Sequence, residues 1–278
     1  QLMPSIVEVD ANNGLGHHAM YAAVDALRGP VLRNGLGCAL VINSSHFGPA
    51  GAYALYGAEN GFLALVTCNS DAFVPLFSGQ TAFHGTNPIA FAAPTSGPNP
   101  YLFDMATSAV PINRVLSARE KKEQLPPDVA LDAAGESTRN SFDALTVAPL
   151  GADYGFKGAG LAGIAEVLSA ILTGMGTSDQ LLPMTDCEDW STPRGLGQFL
   201  LMLRPDCRLS DNLFGNELNS YLKRLRNSPA KANGQVMAPG DREWATKKER
   251  LENGIPVPDT LVESFYDLAN KFNLKTGF

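Results

Sequence analysis

Apolar and polar positions along the chain fall into short blocks whose period changes often. Ile6 to Asp10 alternates and predicts a strand, with a turn at Ala11 to Gly14. From Gly16 to Leu27 the spacing of Met20, Val24 and Leu27 makes one helical stripe. Gly37 to Ile42 is a continuous apolar run of the buried-strand kind, and Asn43 to Gly48 breaks it with polar groups. A short helix is predicted over Ala50 to Asn60, then a strand over Phe62 to Thr67 that ends at Asn69 and Ser70. Further strands are read at Ile89 to Ala93, after the turn Gly85 to Pro88, and at Tyr101 to Met105. Ser117 to Asn140 is charged and contains prolines, which predicts a helix end and a surface loop. Ala159 to Leu172 is the strongest helical pattern, and Leu181 to Pro193 reads as an exposed loop. Gly197 to Arg204 is apolar on both faces, as a strand inside a sheet would be. Helices follow over Asn216 to Arg226, Asp241 to Glu252 and Thr260 to Phe272. Strands and helices alternate irregularly, so the class is mixed α/β or α+β.

Composition narrows the choice of partners more than that of fold. The 278 residues are 45% hydrophobic and 18% charged, which is ordinary for a globular chain able to bury a core. A net charge of -7 leaves no electrostatic footprint for nucleic acid or an anionic membrane, so neither is an expected partner. Cys38, Cys68, Cys187 and Cys207 show no CxxC spacing, so neither a metal site nor a redox motif is predicted. They read as free thiols of a reducing compartment, and the expected location is cytoplasmic. No signal peptide is read at the start, Gln1-Leu2-Met3. Gly158 to Gly176 is apolar enough to be mistaken for a membrane span. Glu166 in its middle argues for a buried helix of a soluble core instead.

Candidate chemistry begins with a misleading motif. Gly158, Gly160 and Gly163 fit GxGxxG. The preceding Gly151 to Lys157 reads as a loop rather than a buried strand, and no acidic strand end follows about twenty residues on, where a ribose partner belongs. Two readings stay open: a helix N-terminus beside Lys157 that offers N–H groups and a cation to a phosphate, or glycines that allow close helix packing. His46 ends an apolar run among Asn43, Ser44, Ser45 and Gly48, where a scaffold presents catalytic groups. An imidazole there can move protons in both directions or serve as a hydrogen-bonded structural group. His84 has less to recommend it, and His17 and His18 read as capping or surface groups at a helix start.

Taken together, the motifs resemble a known family. Asn43-Ser44-Ser45-His46-Phe47-Gly48 with Ala50-Gly51 resembles the N-S-x-H-F-G-x-x-G segment of the malate/L-lactate dehydrogenases. These are NAD(P)-dependent 2-hydroxyacid oxidoreductases without a Rossmann domain, and they include sulfolactate and ureidoglycolate dehydrogenases and cyclic-imine reductases. Val9-Asp10 with Asn13 to Gly16, Asn69-Ser70, Gly85 to Ile89, Asp104 to Ser108, Phe156 to Gly160, Glu166 to Ser169, Pro239-Gly240 with Glu243, and Gly254 to Pro256 follow in the family's order. The resemblance implies a large mixed, mainly antiparallel sheet with surrounding helices, in a homodimer whose active site lies near the interface. Residues 1–35 would belong to a substrate and dimerisation region, 36–220 to the NAD(P)-binding domain, and 221–278 to helices that pack back on the first region. By position, His46 corresponds to the proton-transfer histidine. Ser70, Asp104, Met105, Ala106, Lys157 and Gly158 correspond to positions that contact NAD or NADP, and Arg242 and Glu243 lie in a segment that approaches the cofactor.

The implied reaction moves a hydride between the nicotinamide and a small 2-hydroxy/2-oxo acid, with His46 as base. The substrate carboxylate needs a cation, for which Arg114 and Arg119 are candidates by type alone. Lys121, Lys122, Arg194 and Arg242 are the unplaced cations for a ribose 2′-phosphate. The chain departs from the pattern at Ala11, where Gly is common, and at Gln198, where His is common. Family members usually begin with a further helical segment carrying a Ser-His-Gly motif, which does not occur here. A cyclic-imine reductase and a truncated, non-catalytic relative are the alternative expectations.

Overall fold

The computed structural model describes residues 2–184, 187–189 and 191–275. In chain order its elements are β1 (Ile6–Asp10), α1 (Gly16–Asn34), β2 (Leu36–Ser44), α2 (Ala50–Glu59), β3 (Leu63–Cys68), β4 (Val74–Pro75), β5 (Ala82–His84), β6 (Ile89–Ala93) and β7 (Tyr101–Met105). They continue with α3 (Ile112–Lys121), β8 (Ala130–Leu131), β9 (Thr146–Val147), α4 (Phe156–Glu166), β10 (Leu196–Leu203), α5 (Asp211–Arg226), α6 (Asp241–Asn253) and α7 (Asp259–Lys271).

Six strands form one sheet in the order β1-β2-β10-β3-β6-β7. β1 and β2 are parallel, and every other neighbouring pair is antiparallel. The expected strands around residues 38–42, 62–67, 89–93 and 101–105 all belong to it, and GxGxxG marks no parallel switch point. β10 lies between β2 and β3, which explains its two apolar faces: Leu200 and Met202 are fully buried and Phe199 is buried.

Helices α1 and α2 cover the sheet. Met20, Val24, Leu27 and Val31 of α1 pack with Tyr53 and Ala54 of α2 and with Val41, Val66 and Ala90 of the sheet. α1 runs past the expected end at Leu27 to Asn34, although Pro30 removes one helical N–H. Burial of Val31 carries it on, and it stops at Gly35, whose left-handed φ of 82° lets its N–H close on the Val31 carbonyl.

Three further expectations need correction. Residues 117–140 are not all surface, because Leu125 and Ala130 join Val74, Val115 and Val147 in a second, smaller core beneath α3. The helix expected over Ala159 to Leu172 begins at Phe156 and changes at Val167–Ile171 into a π turn. There Leu172 N–H donates to the Val167 carbonyl at 2.9 Å, and the Ser169 and Thr67 hydroxyls lie 2.7 Å apart. A Cβ at Gly197 would overlap the Ser169 carbonyl oxygen, so β10 needs glycine where this turn rests on it. Nor is the helix buried all round, since Phe156, Ile164, Val167 and Ile171 are exposed. Of the loop expected over 181–193, residues 185, 186 and 190 lie outside the described residues, and the rest contains no helix or strand. No helix among the described residues is long and apolar enough to cross a membrane.

Candidate active site

Sheet topology brings distant segments to one edge. β2 and β3 end there, β10 and β6 begin there, and β7 ends there. His46 follows β2, Ser70 follows β3, and Asp104, Met105 and Ala106 lie at the end of β7. From β2 to β7 the order β2-β10-β3-β6-β7 spans four strand spacings. At about 4.8 Å each that is roughly 19 Å, the scale of an extended dinucleotide.

Hydrogen bonds tie this edge together across the sequence. Thr86 N–H donates to Ser70 Oγ at 3.2 Å, and Thr107 N–H to the Thr86 carbonyl at 2.9 Å. Leu150 N–H donates to the Thr107 carbonyl at 3.0 Å, and Gly158 N–H to the Leu150 carbonyl at 3.1 Å. Ser70, the turn after Met105 and the start of α4 are thereby held in one continuous seam. This settles the two readings of the glycine motif in part. The Gly158 N–H is engaged by Leu150, and a Cβ there would overlap the Leu150 backbone, so Gly158 serves close packing. Gly160 and Gly163 face open space. The Lys157 side chain is exposed, with its Nζ 5.0 Å from the centre of the Tyr154 ring.

His46 is exposed on a loop held from three sides. Gln198 is fully buried; its Nε2 donates to the Ser45 carbonyl at 3.0 Å and its Oε1 accepts from Ser44 Oγ at 3.1 Å. Gly16 N–H donates to the His46 carbonyl at 3.1 Å. The Tyr53 hydroxyl donates to the Phe47 carbonyl. The departure at Gln198 is therefore a structural support of the histidine loop. His17, expected to cap or lie on the surface, makes no capping bond and stands edge-on to His46 with ring centres 6.1 Å apart. Desolvation lowers the His46 pKa, the charges of His17 and Arg194 lower it further, and Asp71 opposes them. The ring is thus neutral above the ordinary histidine range.

Five residues beyond His46, the Gly51 N–H at the start of α2 donates to Asp104 Oδ2 at 2.8 Å. A carboxylate at a helix N-terminus is electrostatically favoured. Burial raises the Asp104 pKa, the Gly51 bond lowers it, and the charge of Glu243 raises it again, which places Glu243 of α6 beside it. Arg242 is exposed on the first turn of α6.

Several residues have roles at this edge that the sequence alone did not assign to them. Asn87, left-handed at φ 33°, accepts from Ser70 N–H at 3.2 Å and donates to Glu166 Oε1 at 2.8 Å. Glu166 also accepts from the Ser178 hydroxyl and N–H. The asparagine before Pro88 was a visible signal for the turn, but nothing local linked it to Glu166. Asp71 and Arg194 form an ion pair of 2.9 Å at the same edge. Arg119 donates to the Ser141 and Ala144 carbonyls and serves the second core, while Arg114 is exposed on α3. A cavity of about 610 Å³ opens between Phe77, Gly79, Glu136, Pro149 and Asp153, and no predicted site residue lines it.

Comparison with known proteins bears on the family and the fold. The sequence model for malate/L-lactate dehydrogenase matches residues 1–265. A malate dehydrogenase of Pyrococcus abyssi is 31% identical over 98% of this chain and 76% of that protein. A ureidoglycolate dehydrogenase (NAD(+)) of Escherichia coli K12 is 30% identical over 94% of this chain and 73% of its own length. Among solved structures, the delta1-piperideine-2-carboxylate reductase of Pseudomonas syringae superposes with a TM-score of 0.84 at 29% identity, covering 97% of this chain and 79% of that one. With the motif order, the sheet and these matches in agreement along almost the whole length, the chain belongs to the malate/L-lactate dehydrogenase family.

Proposed function

We propose that the chain is an oxidoreductase that moves a hydride between NAD or NADP and a small 2-hydroxy/2-oxo acid of the malate, lactate or sulfolactate type. The observation that carries this reading is the arrival of His46, Ser70 and Asp104 to Ala106, from three different strands, at one edge of one sheet. The names of the malate and ureidoglycolate dehydrogenases among its relatives support the reaction class.

The edge suits a dinucleotide. Buried Asn69 Oδ1, next to Ser70, has no partner among the described residues and is ready to accept a hydrogen bond. Gly51 and Gly85 stand where a Cβ would crowd Asp104 and Ser70, so glycine lets the backbone pack directly against these two side chains. Ser70, Asp104, Met105, Ala106, Lys157, Arg242 and Glu243 are the residues assigned to hold the cofactor, with Gly158 packing the start of α4 against Leu150 beside them. When bound, the nicotinamide supplies the two-electron acceptor. The chain supplies the rest. His46, neutral near pH 7, accepts the proton of the substrate hydroxyl as the carbon loses its hydride. In the reverse direction it returns that proton to the new alkoxide oxygen. The Gln198 and Gly16 bonds to its loop fix where the ring stands.

We place the enzyme in the cytoplasm, supported by four unpaired cysteines. We assign it as a homodimer, supported by the exposed apolar face of α4. Residues 36–220 are assigned to the cofactor, 1–35 to the substrate side and the partner, and 221–278 to closing helices. A cyclic-imine reductase is the competing substrate class, favoured by the likeness to the Pseudomonas syringae reductase. The test is consumption of NADH and NADPH with oxaloacetate, pyruvate and sulfopyruvate set against piperideine and pyrroline carboxylates. Turnover of the oxo acids is expected. Turnover of the cyclic imines alone would transfer the site to the second class, and no turnover of either would refute the reading.

A further inference from the structure

The implied reaction needs a fixed cation for the substrate carboxylate, and the arginines nominated by type do not supply it. Arg119 is bound to two carbonyls of the second core, and Arg114 is exposed on α3. Arg194 stands elsewhere. It lies two residues before Leu196, which pairs with Ser44, and His46 lies two residues after Ser44. Beyond that pair both segments leave the ladder, through Ser45 on one side and the left-handed Gly195 on the other, so Arg194 and His46 depart from neighbouring strand ends. On its other side β10 pairs with β3, whose end leads through Ser70 to Asp71.

The guanidinium is unusually fixed for an arginine in a loop. Its side chain is 18% exposed and its Nη2 contacts Asp71 Oδ1 at 2.9 Å. Asp71 is itself held, since its second oxygen accepts the Met184 N–H at 2.7 Å. One donor is left over: Arg194 Nε is buried and has no partner among the described residues. Buried donors without partners are rare, and each calls for an explanation. An arginine clamped through one nitrogen with another donor idle is half of a carboxylate site, because the planar fork is made for two-point contact. The charge of Arg194 also reaches His46, so the two groups share one space.

We propose that Arg194, oriented by Asp71, binds the carboxylate of the 2-oxo or 2-hydroxy acid and sets its carbonyl or hydroxyl carbon against His46. This rests on the oxidoreductase reading above and names the residue that gives it acid specificity. Asp71 is a positioning residue: it holds one nitrogen of the guanidinium and leaves the remaining donors to select a planar anion.

The experiment compares wild type with Arg194→Gln and Arg194→Lys, using whichever 2-oxo acid turns over fastest and its methyl ester. A charge-assisted contact of this kind corresponds to a change of about 10- to 100-fold. Arg194→Gln is expected to raise KM for the acid by that factor, with NAD(P)H affinity measured by fluorescence unchanged. The preference of wild type for acid over ester should collapse in the variant, an effect that a merely structural arginine would not produce. Arg194→Lys keeps the charge beside Asp71 but loses the fork, and should still raise KM about tenfold. If Arg194→Gln does not fold, Arg194→Lys decides. A KM within threefold of wild type and an intact acid preference overturn the assignment while leaving the oxidoreductase reading standing. Absence of turnover in wild type, with no binding of oxamate by calorimetry in the presence of NADH, overturns both.

Discussion

His46 shows what a single side chain can and cannot disclose. Its flanking motif was legible, because six consecutive residues carry it. Its supports were not, since Gln198 and Arg194 lie about 150 positions away and reach it only through strand pairing. His46→Gln should lower turnover by about 10²–10⁴-fold, the usual contribution of a general acid or base, and leave NAD(P)H binding nearly intact. A parallel loss of cofactor affinity and thermal stability would instead mark a structural histidine. The pH profile gives a second check. The pKa of His46 is depressed below 6.5, so oxidation should lose rate only as pH falls beneath the ordinary histidine range. Reduction should lose rate as pH rises through the same value, because it needs the imidazolium. Stability follows the same sign. His46 and buried His84 both have folded pKa values lowered mainly by desolvation. Below pH 6.5 the unfolded chain therefore takes up protons that the folded chain refuses, and stability declines with falling pH. The urea midpoint should drop between pH 7 and pH 5, and His84→Phe should make that slope shallower. A flat profile in wild type would contradict the lowered values.

At the scale of elements, pattern located the sheet better than it located the joints. Alternation and apolar runs marked β1, β2, β3, β6, β7 and β10 because each buries one or both faces of a strand. β8 and β9, two residues each, are too short to carry a period. The π turn was invisible for another reason: it depends on Thr67 and Gly197, far away in the chain. The joint between α4 and the β6 loop depends on Glu166 in the same way. Its carboxylate accepts from Asn87 and twice from Ser178, with no cation paired to it among the described residues. Every partner donates, so Glu166→Gln must turn an amide N–H₂ towards at least one donor. Loss of a buried acceptor costs about 1–3 kcal/mol, and denaturant unfolding should read that much. Because Asn87 also receives the Ser70 N–H, NAD(P)H affinity should weaken with it. Stability within about 0.5 kcal/mol of wild type would mean that the network is not strained by the exchange.

For the whole molecule, the decisive surface is the one expected from the sequence to be a buried helix of the core. The stretch from Phe156 to Ile171 is apolar nearly all round, and periodicity alone cannot say whether a second apolar face meets its own core or another chain. The fold resolves half of this: Ala162, Ala165 and Ser169 are buried within the protein, while Phe156, Ile164, Val167 and Ile171 stay between 51% and 62% exposed. Gly160 and Gly163 on that side meet nothing within 4 Å, so the surface is flat as well as apolar. Covering half-exposed side chains of this size gives on the order of 1 kcal/mol apiece. In a two-fold dimer every residue counts twice, so a modest face becomes a substantial association energy. The same doubling would make such a dimer vulnerable to one charge. Val167→Lys replaces an exposed side chain and disturbs no core contact of its own subunit, so its thermal unfolding at high dilution should match wild type. Light scattering at micromolar concentration should find wild type dimeric and the variant monomeric. A wild type that is monomeric there, or a variant that dimerises as readily, would remove α4 from the interface. If the variant also loses turnover with His46 and Arg194 untouched, the partner subunit completes the site.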